Sequence, residues 1–76
     1  MPHDRNPAIV RCIKMEETHR AMRIWQSQPR ENYVDIWIPK SQIELERFLG
    51  KDPDGNTEID LEVPIWLAEK EGLDYR

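Results

Sequence analysis

Residues 57–63 read Thr-Glu-Ile-Asp-Leu-Glu-Val, between Gly55 and Pro64, and they alternate without a break. Ile59, Leu61 and Val63 face one way; Glu58, Asp60 and Glu62 face the other. Only an extended strand turns successive side chains to opposite sides. A strand with one apolar and one acidic side belongs to a sheet packed on one face and wet on the other, the usual antiparallel case. The chain must therefore supply neighbouring strands and something to cover the aliphatic face, with Leu61 at its centre.

The neighbours are legible in outline. Ala8-Ile9-Val10-Arg11-Cys12-Ile13-Lys14-Met15 is rich in β-branched residues and reads as a strand. In His19 to Trp25, Met22 and Ile24 alternate with Arg23 and Trp25, which favours a strand over a helix. Gln26 to Asn32 reads as a polar loop, and Val34, Ile36 and Ile38 then alternate with Tyr33, Asp35 and Trp37. Pro39 cannot donate to a ladder and ends that strand. Ser41 and Glu44 have the spacing of a capping box, and Leu45, Phe48 and Leu49 follow at helical spacing up to Gly50, so a short helix is expected at 42–49. Asp52-Pro53-Asp54-Gly55-Asn56 is a turn by composition. Pro64 fits the first position of a second helix, Ile65 to Glu71, stopped by Gly72. The expected class is α+β: a small, mainly antiparallel, curled sheet of about four strands, a mid-chain helix and a C-terminal helix. Residues 1–7 read as a disordered arm and 8–76 as one domain, with Ile36, Ile38, Phe48, Leu49, Ile59, Leu61 and Val63 as the core.

A chain of 76 residues has little core to spare, since a domain this size buries only about 60% of its unfolded surface. One cysteine, Cys12, permits no internal disulfide and suits a reducing, cytoplasmic compartment. Stability is thus left to packing, to a partner or to self-association. No segment is apolar for long enough to span a membrane. The net charge of −4 is unevenly spread. Residues 1–30 carry six Lys/Arg and three acids, a balance of +3; residues 31–76 carry five and twelve, a balance of −7. Such acidity opposes non-specific nucleic-acid binding and favours a protein partner.

Catalytic and ligand-binding patterns are missing. His3 and His19 have no nucleophile and orienting acid in a recognisable arrangement. Cys12 lies inside a strand, as a structural thiol does. The 52–56 run departs from a calcium loop, with glycine directly after the second Asp and no glutamate at the twelfth position. Three dispersed glycines make no phosphate loop. No catalytic, cofactor or metal residue is assigned, and an enzyme is not expected.

Two constellations suit binding. Trp25, Tyr33 and Trp37 lie on or near strand faces that carry Arg23 and Asp35. They form a protein-binding hot spot, a platform for stacking bases, or a core covered by Ile65, Trp66 and Leu67. Glu58, Asp60 and Glu62 space carboxylates about 6.5–7 Å apart, a repeat similar to a phosphate backbone, or they simply keep a strand soluble. The candidate partner-binding residues are Glu58, Asp60, Glu62, Trp25, Arg23 and Asp35.

The motif Trp37-Ile38-Pro39-Lys40-Ser41-Gln42-Ile43, followed by Trp66-Leu67-Ala68-Glu69-Lys70-Glu71-Gly72-Leu73, resembles a group of small uncharacterised bacteriophage and prophage proteins. The likeness covers roughly residues 18–74. It implies a phage or mobile-element setting, where small acidic proteins act by binding: as accessories to nucleic acid, or as inhibitors of host defence in the manner of anti-CRISPR proteins. The expected partner is a host protein or protein–nucleic-acid complex, with single-stranded nucleic acid second.

Overall fold

The computed structural model describes residues 7–76. Of the expected arm at 1–7, all but Pro7 lies outside them. The elements are β1 (Ala8–Glu17), β2 (Ala21–Gln28), β3 (Asn32–Pro39), a 3-10 turn (Lys40–Gln42), β4 (Leu45–Lys51), β5 (Thr57–Val63) and α1 (Ile65–Lys70). The strands form one antiparallel sheet in the order β3-β2-β1-β5-β4. The α+β class is as expected, but with five strands and a single α-helix among the described residues.

The expected helix at 42–49 is corrected to a short turn and a strand. Ser41 makes no capping hydrogen bond, and Leu45–Lys51 pairs with β5 instead. An isolated helix of eight residues is marginal in water. A ready strand across the 52–56 turn offers the same backbone groups partners at once. Asp52 shapes that turn, its carboxylate accepting from the Asp54 and Asn56 N–H groups at 2.9 Å each.

Register sorts the side chains between two faces. Ala8, Val10 and Cys12 stand opposite Val63, Leu61 and Ile59, and Met22 and Ile24 stand opposite Ile38 and Ile36. All of these but Ile36, together with Leu67, Ala68 and Leu73 from the C-terminal segment, make the core. Each fully buried aliphatic side chain contributes about 1.5–3 kcal/mol. Ile36 packs at the margin of this core. Phe48 and Leu49, expected inside, are exposed, Phe48 by 65%. They lie on an edge strand that the short α1 does not reach.

The sheet has to curl. β3 and β4 are its two edges, yet residues 40–44 alone join them. In a flat sheet the edges would be four spacings apart, about 19 Å. Three of the five linking residues are wound into a turn that rises only about 2 Å per residue. Ile43, in that link, packs against the core. Register shifts between Lys14 and Glu16 and between Phe48 and Gly50 add local twist.

Pro64 precedes α1 in an extended conformation, as its cap rather than its first residue. Gly72 ends the helix with φ +72°. The Leu73 N–H donates to Ala68 O at 2.9 Å and the Gly72 N–H to Glu69 O at 3.2 Å, the paired bonds of a left-handed helix stop. That reversal drives Leu73 into the core and lays Arg76 beside β1, where it exchanges two backbone hydrogen bonds with Ile9. β2 pairs with β1 only as far as Ile13 opposite Trp25. Gln26 fills the gap beyond: its amide donates to Arg11 O and Asp74 O, at 3.0 and 2.8 Å, and accepts from Asp74 N at 2.8 Å.

Candidate interaction face

The second face of the sheet holds all six candidate residues. Cross-strand partners share a face, so one row runs Asp35, Trp25, Ile13, Glu58. A second runs Trp37, Arg23, Glu16, a third Arg11, Asp60, Arg47, and a fourth Ile9, Glu62, Leu45. Helix α1 packs on the opposite side, through Leu67 and Ala68. The aromatics are therefore not its core.

Trp25 stacks on Tyr33 with ring centroids 6.0 Å apart and planes inclined by 24°. Tyr33 is 58% exposed and Trp37 46%. The pairing of β2 with β3 produces the arrangement, setting Ser27 and Trp25 beside Tyr33 and Asp35. A stacked Trp holds its ring in one orientation, which suits an anchor that loses little entropy on binding.

The charges on this face are mostly paired. Arg23 grips Asp35 with two parallel bonds, Nε to Oδ1 at 2.8 Å and Nη2 to Oδ2 at 2.7 Å, and reaches Glu16 Oε2 from Nη1 at 2.6 Å. The guanidinium holds the Asp35 carboxyl below the usual range. Asp60 is only 8% exposed and accepts from Arg11 Nε at 3.1 Å and from Arg76 Nη2 at 3.3 Å. Its carboxyl too is held low, chiefly by the Arg11 hydrogen bond, against the opposing effect of burial. The acidic stripe is thus not three equal carboxylates. Glu58 and Glu62 pair with no cation among the described residues, while Asp60 is tied into the sheet.

Between Trp25 and the 52–56 turn lies an open groove of about 560 Å³. Ile13, Met15 and Trp25 supply its apolar lining; Asp54 and Glu58 line it as well. Met15 is the extra residue at the β1 bulge, and Gly50, opposite Glu58, adds no side chain to the far side. Sequence reasoning missed Met15 and the turn as parts of this face. The signal that could have found the turn was Asp-Pro-Asp-Gly-Asn between two apolar runs, a hairpin connection.

Cys12 points into the core, and burial pushes its thiol up to about 12, the opposite of what a nucleophile needs. His19 is exposed, and His3 lies outside the described residues. No helix among the described residues is long and apolar enough to cross a membrane. No family model, no curated protein and no solved structure matches this chain.

Proposed function

We propose that this protein is a non-enzymatic, phage-type binding module that works in the host cytoplasm and engages a host protein through the uncovered face of its sheet. On this reading it inhibits a defence or nucleic-acid-handling complex. The supporting observation is the exposed pair Tyr33 and Trp37 beside a half-buried Trp25, on a face that no element among the described residues covers. Aromatics on a rigid strand pair are the residue types that dominate protein hot spots. Glu58, in the same row as Trp25, and Glu62, at the far end of the face, add negative charge that pairs with no cation among the described residues. Direct binding of single-stranded nucleic acid is the weaker reading, because Arg11 and Arg23 are already occupied by carboxylates. The two readings are separated by immobilising the protein in host lysate with and without nuclease, beside a Tyr33→Ala/Trp37→Ala variant of equal thermal stability. A specific partner captured after nuclease by the native protein and lost by the variant is the expected result. Capture that vanishes with nuclease, together with tight binding of labelled oligothymidylate at low salt, sinks the proposal in favour of nucleic acid.

A further inference from the structure

We infer that the groove between Trp25 and the 52–56 turn takes an arginine side chain from an extended, basic segment of the partner protein. The inference rests on the reading of this face as a protein-binding surface and names the chemistry it selects. Three features of the groove point to a cation on an apolar stem. Ile13 and Met15 give an aliphatic lining along β1. Trp25, fixed by its stack on Tyr33, gives an indole beside it. Asp54 and Glu58 give two carboxylates that pair with no cation among the described residues. The one arginine in the lining, Arg11, is held by Asp60.

The complement of such a groove is an alkyl stem that carries a flat cation. Guanidinium stacks on an indole and meets carboxylates with two parallel bonds, whereas an ammonium does neither as well. Asp52 takes no part in recognition: it is spent on the turn, holding Asn56 and the wall in place. Met15 is unbranched and can adapt to stems of different reach.

The test is fluorescence anisotropy with labelled Gly-Arg repeat peptides, against Gly-Lys and Gly-Glu repeats and oligothymidylate, at low and high salt. The arginine peptide should bind, more weakly as salt rises, and several-fold more tightly than the lysine peptide. The glutamate peptide and the oligonucleotide should not bind. Glu58→Gln with Asp54→Asn should weaken the arginine peptide about tenfold, and Trp25→Leu should erase the preference for arginine over lysine. Trp66→Ala, on the helix, should change nothing. The inference is overturned by no binding of the arginine peptide, by equal binding of the glutamate peptide or oligonucleotide, or by affinity indifferent to the Glu58/Asp54 pair, a surface change that leaves the core alone. A dimer that the same pair of changes dissociates would make a second copy the occupant and would also overturn it. Should the peptide fail while capture of the host partner still depends on Tyr33 and Trp37, the groove loses its assignment and the face keeps its own.

Discussion

Leu61 and Glu17 show how differently single residues are tied into this fold. Leu61 is wholly buried, opposite Val10 on one side and Glu46 on the other. Leu61→Ala should cost about 2–5 kcal/mol. In a domain so small that is most of the stability, and an unchanged urea midpoint would refute the core described here. Glu17 instead lies on the surface, between the Lys14 and Lys40 ammonium groups. They hold its carboxyl at about 2, the Lys14 hydrogen bond most of all. A carboxyl whose pKa is lower in the folded state than in the unfolded chain stabilises above its unfolded pKa, and that contribution is lost as pH falls through the folded value. Thermal stability should therefore fall between about pH 4.5 and 2, and Glu17→Gln should flatten part of that fall. Identical pH profiles for the two proteins would show that this exposed pair does nothing for stability.

At the scale of elements, what the sequence revealed depended on whether an element's partner could be seen from its own residues. The 57–63 strand was plain, since its alternation needs no knowledge of neighbours. The faces of β3 were equally plain, and Gly72 marked the end of α1 correctly. β4 was misread because Leu45, Phe48 and Leu49 also fit a helical stripe, and only pairing with β5 decides between the two. The site was legible as residue types and not as an arrangement. All six chosen residues share a face, yet nothing in the chain's order told that Asp60 would be buried between arginines, or that Met15 would sit on a bulge. Gln26, read as the start of a loop, is one of two buried polar residues among the described residues, 6% exposed. The β2–β3 turn carries a cost of its own. Arg30 and Glu31 both adopt positive φ, 66° and 59°, a region that penalises residues with a Cβ. Arg30→Asn with Glu31→Gly should add about 1 kcal/mol and raise the melting temperature by about 4–8 °C. A lower melting temperature would mean that these side chains contribute more than the turn conformation costs.

Across the whole molecule the two faces divide the work. One packs Ile24, Leu61 and Leu73 together; the other presents aromatics, ion pairs that hold its shape, and two glutamates that pair with no cation among the described residues. Charge reversal should be confined to Glu58 and Glu62, because Asp60→Lys would place a cation among Arg11, Arg47 and Arg76 and threaten the fold. With the host partner in hand, Glu58→Lys/Glu62→Lys should slow association, more so at low salt, while Trp37→Ala should speed dissociation. An unaltered association rate at low salt would reduce the two glutamates to a solubility device.

Gln26 also carries an expectation about the order of folding. Its amide reads the carbonyl of Arg11 and both backbone groups of Asp74, so the landing place for residues 73–76 exists only after β2 has joined β1. Docking of residues 73–76 should therefore come late, past the folding barrier. Gln26→Leu orphans those groups and should therefore speed unfolding while leaving the folding rate nearly unchanged, the kinetic signature of contacts absent from the transition state. Chevron plots of the two proteins would show it as a shifted unfolding arm alone, and a slowed folding arm would move the tail into the nucleus. On that order, the hydrogen-bonded amides at Ile9 and Asp74 should exchange with solvent before those of the central ladder.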